Sequence, residues 1–254
     1  MNIVIITQDD PFYLGPNLEY LIENLPDYAS VVACIVAQVS PFGRRESFVT
    51  KALNTLRIFG VRFFFHYAVR FFIAKINKDN SVPAVLARRR VPMLTLTRSI
   101  NSDESLALIS GYDPDILISI AGNEIFKRPL LDLAPHGCLN LHTALLPKYR
   151  GLMPSFWVLK NGETETGVSV FFVDEGIDSG PIVVQKRLRI SGLTQEELIQ
   201  KTKRLGMEAI IEAIDNIYRG QVELIENSDE EKTYFSFPTK QDVRGFRKQG
   251  ARFF

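Results

Sequence analysis

Short β-branched runs that alternate with helical patterns constrain the fold of this chain more than any other feature. The runs are Ile3–Thr7, Ser30–Ala37, Met93–Leu96, Asp115–Ala121, Cys138–His142, Gly167–Val173 and Ile182–Ile190. Between them lie helical stretches near Leu18–Leu25, Arg45–Asn77, Ala84–Arg89, Ser105–Ile109 and Pro154–Lys160. Such alternation calls for crossover units, because a helix must carry the chain back before the next strand can pair in parallel. The expectation is an α/β domain with a doubly wound, mainly parallel twisted sheet.

The best-marked helix follows Thr194, whose hydroxyl and Glu197 make a capping-box pattern ahead of an apolar face. Leu198, Leu205, Ala209, Ile210, Ala213, Ile214 and Ile217 recur at helical spacing until Arg219-Gly220 stops the run. Gln221 to Phe254 is mixed and charged, so an extended tail or small appendage is expected there. A chain of 254 residues holds one large domain, or one domain and such an appendage. The division expected is residues 1–192 as the main domain, with a C-terminal helix and short tail, 193–254, packing on it.

Arg57 to Lys75 departs from the plain α/β pattern, with six Phe and a Tyr among Arg57, Arg62, Arg70 and Lys75. It is too charged to span a bilayer. The simpler reading is an amphipathic helix buried against the sheet or against a second copy of the chain in a homodimer. The alternative is peripheral membrane contact through residues 57–75, on the inner membrane face.

Composition excludes little else. With 46% hydrophobic and 23% charged residues the chain reads as an ordinary globular protein, and a net charge of +1 implies no global attraction to nucleic acid. Cys34 and Cys138 sit in apolar strand runs, where reduced thiols are expected. Ile3–Ile6 lacks the basic flank and length of a secretory leader, so a cytoplasmic location is expected.

Function is written most densely in Gly137–Gly180. In Gly-Cys-Leu-Asn-Leu-His the period of a strand puts Cys138, Asn140 and His142 on one face and Leu139 and Leu141 on the other. A loop punctuated by Pro147 and Gly151 follows, and Asp178 stands later between Gly176 and Gly180. Taken singly, each polar residue has an ordinary structural explanation: a bonded Asn, a satisfied core His, a turn-forming Asp.

Together, Asn140-Leu-His142-Thr-Ala-Leu145-Leu146-Pro147-Lys-Tyr-Arg-Gly151 and Asp174-Glu-Gly-Ile-Asp178-Ser-Gly180 resemble the N10-formyltetrahydrofolate-dependent formyltransferases. The similarity runs from Asp113 to Arg189, with looser echoes at Asn2–Thr7 and Tyr234–Lys240. It implies a Rossmann-like formyltransferase fold, with N10-formyltetrahydrofolate as co-substrate and Asn140, His142 and Asp178 as the catalytic group. Asn140 and protonated His142 would face the developing oxyanion, and Asp178 would support the imidazole and relay the amine proton. The same resemblance puts the pterin between Asn123-Glu124-Ile125-Phe126 and Val173-Asp174-Glu175-Gly176-Ile177.

For the acceptor, the first expectation is a small-molecule amine, a nucleotide-linked amino sugar, with Arg150, Trp157 and Tyr234–Lys240 on its side. Methionyl-tRNA and glycinamide ribonucleotide are the alternatives, and a catalytically idle scaffold is a third. Basic residues of the tail are offset by acids, so no nucleic-acid partner is expected. A dinucleotide or Walker A loop is missing after the first run, which reads Thr7-Gln-Asp-Asp-Pro-Phe-Tyr-Leu-Gly. His66, His136, His142, Cys34 and Cys138 lack compact metal-ligand spacing, so no metal is expected, and no G-x-S-x-G elbow marks a serine hydrolase.

Overall fold

The computed structural model describes residues 1–37, 47–122 and 124–254. In chain order its elements are β1 (Asn2–Gln8), α1 (Leu14–Glu23), β2 (Ser30–Ala37), α2 (Phe48–Phe59), α3 (Val61–Ile76), α4 (Val82–Arg88), β3 (Met93–Leu94), α5 (Asp103–Ser110) and β4 (Ile116–Ile120). There follow α6 (Arg128–Leu131), β5 (Cys138–His142), β6 (Arg150–Gly151), α7 (Pro154–Lys160), β7 (Glu165–Phe172), β8 (Ile182–Arg189), α8 (Gln195–Tyr218), β9 (Tyr234–Phe235) and α9 (Lys240–Lys248).

Alternation along β1 explains the layering. Ile3 and Ile5 face a core shared with α1 and α8 (Leu14, Leu18, Met207, Ile210, Ile214), whereas Val4 and Ile6 face a second core with Ile109 of α5 and Leu130 of α6. Both faces of the strand are therefore covered, as a parallel sheet requires. Each such fully buried Ile or Leu contributes roughly 1.5–3 kcal/mol. The sheet is 7-stranded, ordered β3-β2-β1-β4-β5-β7-β8. Pairing is parallel from β3 through β5 and antiparallel at β5–β7 and β7–β8. The doubly wound expectation holds, with an antiparallel edge.

β5 carries its leucines toward α8. Leu139 and Leu141 belong to the α8 core and Cys138 to the opposite one, so Asn140 and His142 lie on the face away from that helix. Gly206 of α8 makes the close approach: a Cβ there would stand 2.5 Å from Leu141 Cδ2. The helix starts at the expected capping box, with Thr194 Oγ1 accepting from the Glu197 N–H and Glu197 accepting from the Thr194 N–H.

Two expectations change. The single helical stretch from Arg45 to Asn77 is two helices, because Gly60 at φ +88° breaks the run; its start at Arg45 lies outside the described residues. No residue of α3 is fully buried, so it is not packed into the sheet core. Its inner edge instead meets the end of α2 and the C-terminal segment, with Phe63 against Phe59 (4.4 Å between centroids) and Phe253 (4.9 Å). That segment carries a helix of its own, α9. Thr239 and Asp242 cap α9, and Phe246 stacks between Phe156 (4.8 Å) and Phe253 (4.4 Å) in a third core. Among the described residues no helix is long and apolar enough to cross a membrane.

Candidate active site

His142 ends β5, and its ring is held on both sides. Its Nε2 lies 2.7 Å from Tyr149 O and its Nδ1 lies 3.5 Å from Asp178 Oδ2. The side chain is 7% exposed and that of Asp178 14%. The short Nε2 contact requires an N–H there, which fixes the ring's orientation. The Nδ1 contact is longer than a good hydrogen bond and is the side that can open to a reacting group. Asn140, two residues back on the same face, is half-buried, and among the described residues its amide has no partner. Of the three expected site residues, the structure brings His142 and Asp178 into contact and leaves Asn140 beside them with both amide groups free.

The loop after β5 is fixed from beneath. Ser169, fully buried on β7, donates to Ala144 O (2.8 Å) and accepts from the Leu146 N–H (3.0 Å), while Gln185 Nε2 donates to Leu146 O (2.9 Å). Among the described residues six non-glycines have positive φ, and three of them, Tyr149, Met153 and Asp178 (+50° to +61°), lie in or beside the loops of the site. Such conformations persist only where surrounding contacts hold them, and they concentrate at functional positions.

For Tyr149 and Asp178 those contacts come from the C-terminal segment. β6 pairs with β9, placing Arg150 opposite Tyr234 and Gly151 opposite Phe235. The Gly151 N–H donates to Asp178 Oδ2 (2.8 Å), and a Cβ on Gly151 (φ +93°) would stand 2.3 Å from Phe235 O. Asn227 Nδ2 donates to Asp178 O and Gly180 O, both at 2.9 Å. Arg150 in turn donates to Asn227 O (3.1 Å), Asn227 Oδ1 (3.0 Å) and Asp229 Oδ1 (2.7 Å). Lys232, and after it Arg150, hold the Asp229 carboxyl below its ordinary range. Tyr149 adds a bond from its N–H to Thr233 Oγ1 (2.8 Å), and its phenol donates to Glu163 (2.6 Å). Burial first, and that Glu163 bond next, push the phenol up to about 12.

This strap was missed in the sequence, and two acceptor-side expectations fall with it. Arg150 is 4% exposed and committed to Asn227 and Asp229, so it is not free to neutralise a phosphate. Trp157 is buried, donates Nε1–H to Ser236 O (3.1 Å) and stacks on Phe235, so it offers no open face. Tyr234 is 52% exposed and does offer one.

A pocket of about 260 Å³ opens between α6 and the β7–β8 loop, lined by Arg128, Leu131, Asp132, Gly137, Cys138, Phe172, Val173, Asp174 and Glu175. Leu131, Cys138, Phe172 and Val173 give it an apolar side and Arg128, Asp132, Asp174 and Glu175 a charged one, a mixture that suits a heteroaromatic ring carrying polar edge groups. Cys138 ties the pocket to the site, since Asn140 is one pleat further along the same strand face, roughly 6.6 Å. Of the expected pterin contacts, Val173, Asp174 and Glu175 line this pocket. Asp174 also ties its own loop, accepting from the Gly176 N–H (3.0 Å) and Ser179 Oγ (2.6 Å). Gly176, Ile177, Glu124, Ile125 and Phe126 are not among its lining residues. Phe126 is buried in the second core, Ile125 is exposed, and Glu124 accepts from Ser99 Oγ (2.7 Å). Asn123 lies outside the described residues. Leu131 and Cys138 were not anticipated, although the place of Cys138 on the Asn140 face was the available signal.

The family model described as formyl transferase matches residues 73–214. A methionyl-tRNA formyltransferase of Kosmotoga olearia is 39% identical over 147 residues, covering 58% of this chain and 47% of that protein. The chain thus spans about half the length of the curated relatives it matches. Among solved structures, glycinamide ribonucleotide transformylase 1 from Symbiobacterium toebii superposes with a TM-score of 0.60 at 19% identity, covering 89% of this chain and 92% of that one. A sugar N-formyltransferase from a Shewanella species superposes at 0.62 and 15% identity, covering 99% and 89%. These last two likenesses are of fold.

The relatives' name overturns the expectation that no nucleic acid is involved. The expectation rested on charge counted along the tail, where Asp229 pairs with Arg150 and Lys232 and Asp242 with Lys160. A sum over a segment is not the field that a ligand meets. The matched residues cover more than half of the chain and contain both the strand of Asn140 and His142 and the loop of Asp178, and the chain belongs to the formyl transferase family.

Proposed function

We propose that this protein transfers a formyl group from N10-formyltetrahydrofolate to a primary amine, and that the amine is the α-amino group of an aminoacyl-tRNA, methionyl-tRNA being the first to test. The observation that carries the acceptor is the 39% identity to a methionyl-tRNA formyltransferase. The donor fits the pocket walled by Leu131, Cys138, Phe172 and Val173, with its formyl end directed along β5 toward Asn140. The cytoplasm is where such a donor and acceptor meet.

In this reading the neutral amine attacks the formyl carbon, a C–N bond forms, and the carbonyl oxygen takes up negative charge. Asn140 Nδ2 donates to that oxygen, and its amide is free to do so. His142 keeps Nε2–H on Tyr149 O and, in its protonated form, donates Nδ1–H to the same developing oxyanion, beside Asp178 at 3.5 Å. Asp178, locked by the Gly151 N–H and by Asn227, accepts the amine proton directly or through water. Collapse of the intermediate breaks the bond from carbon to N10, and the proton taken up by Asp178 is passed, directly or through water, to N10, which leaves as tetrahydrofolate.

A nucleotide-linked amino sugar is the second reading. One observation favours it: the exposed ring of Tyr234, paired opposite Arg150 and next to Gly151, is a stacking face beside Asp178. The test supplies radiolabelled donor with methionyl-tRNA, glycinamide ribonucleotide and a panel of aminated nucleotide sugars. Label in acid-precipitable tRNA is expected. Label only in a sugar nucleotide, identified by mass spectrometry, replaces the first acceptor with the second.

A further inference from the structure

Helix α3 is amphipathic with its apolar side outward. Val61, Phe65, Val69, Phe72, Ile73 and Ile76 follow one another at spacings of three or four residues, with Ile73 beside Phe72, and so form one stripe. Their exposures run from 56% at Val69 to 86% at Ile76. Val49 and Leu53 extend the patch onto α2, at 64% and 60%. The opposite face is the anchored one. Phe63 stacks on Phe59, Arg70 pairs with Glu196 (2.6 Å) and donates to Tyr13 Oη (3.0 Å), and His66 lies flat on Phe254 (3.8 Å). The helix therefore has a settled inner contact, and the stripe is left over.

Charge narrows what can cover it. Residues 47–78 include Lys51, Arg57, Arg62, Arg70, Lys75 and Lys78 and not one Asp or Glu. Arg57, Arg62, Lys75 and Lys78 are exposed. A second copy of the chain would bring two such basic patches together, which like charges oppose. A negatively charged surface with an apolar interior meets both halves of the pattern at once: phenylalanines enter the acyl boundary while lysine and arginine stems reach out to the headgroups. At 16 residues α3 is too short to span, so it would lie in the plane of the surface.

We propose that the α2–α3 hairpin docks this enzyme on the anionic leaflet of a lipid bilayer through Phe65, Phe72 and Ile76, independently of which amine it formylates. Arg70 and the neighbouring Phe12 and Tyr13, which follow the C-terminal end of β1, connect the docked helix to the end of the sheet where β5 presents His142.

The test is co-sedimentation of the full chain with vesicles of phosphatidylcholine alone and of phosphatidylcholine with phosphatidylglycerol. Binding to the anionic vesicles should exceed that to neutral ones by at least about tenfold and fall in high salt. Phe65→Glu with Phe72→Glu should abolish it with unchanged circular dichroism and thermal midpoint, since both side chains stand in solvent. A Phe65→Ser, Phe72→Ser pair serves as an uncharged control and should also lose binding. Failure of the parent protein to bind anionic vesicles overturns the proposal, as does undiminished binding by the variants. A lipid-free dimer in sedimentation velocity that the Glu variant dissociates would assign the stripe to a second copy instead.

Discussion

Two parts of this molecule are rich in aromatic and basic residues, and they are used in opposite ways. Around Asp178, the arginine and the aromatics turn inward: Arg150 is spent on Asn227 and Asp229, Trp157 on Ser236 and Phe235. On α3 they are divided, with Arg70 and Phe63 facing the protein and Phe65, Phe72 and most of the cations facing out. The same residue types therefore make a rigid frame in one place and an open surface in the other. What decides is the presence of a partner segment: residues 227–235 close over the site loop, and nothing described closes over the α3 stripe.

The largest effects should fall on the framed side. His142→Ala or Asn140→Ala should each lower kcat by roughly 10²–10³, the scale for removing one oxyanion donor, and Asp178→Ala at least as much, all in folded protein. Circular dichroism beside a steady-state assay separates this from unfolding. Matching changes on the open face should do little: Phe65→Glu with Phe72→Glu should leave turnover with a soluble acceptor within about twofold, as surface changes without lost contacts do.

Between these extremes lies the strap. Gly151→Ala forces a side chain into a left-handed backbone and against Phe235 O, so it should cost roughly 1–3 kcal/mol and lower the thermal midpoint. Asn227→Ala removes two bonds to the Asp178 loop and should cost about 1–2 kcal/mol, with kcat falling more than KM changes because the carboxylate is misplaced while the donor pocket stays intact. A drop confined to KM would say that Asn227 touches substrate instead. The smallest effect is pH-linked. Asp229 is held below its ordinary value by Lys232 and Arg150, so its clamp contributes above about pH 4 and is lost as pH falls through the depressed value. Asp229→Asn should flatten that acid dependence in a melting series.

How much was legible follows from the range of each contact. β2, β5 and α7 begin and end where their residue patterns place them, and the α8 capping box is a three-residue signal that the structure repeats. The break at Gly60 was hidden because Phe and Ile continue on both sides of it at helical spacing. Asn227 could not be found: it sits in a polar stretch and reaches Asp178 across 49 positions, a distance over which no periodicity speaks. The meeting of His142 with Asp178 was legible only through family resemblance, since 36 residues separate them in the chain. The donor side divided by local geometry. Val173 to Glu175 follow directly on a strand and reach the pocket, whereas after β4 Phe126 is buried in the second core and Ile125 is exposed.

The central claim is that Asn140, His142 and Asp178 act as one formyl-transfer site, and a single-turnover experiment addresses it most directly. Excess enzyme, bound to N10-formyltetrahydrofolate carrying a labelled formyl group, is mixed with whichever acceptor takes label in the panel assay, and the appearance of labelled amide is followed in parallel with donor binding by fluorescence titration. Asp178→Asn, which keeps the shape and the bond to the Gly151 N–H but removes the charge, should bind donor with near-normal affinity while transfer slows by at least about 10². Transfer at the parent rate by folded Asp178→Asn, with donor bound, would contradict the account.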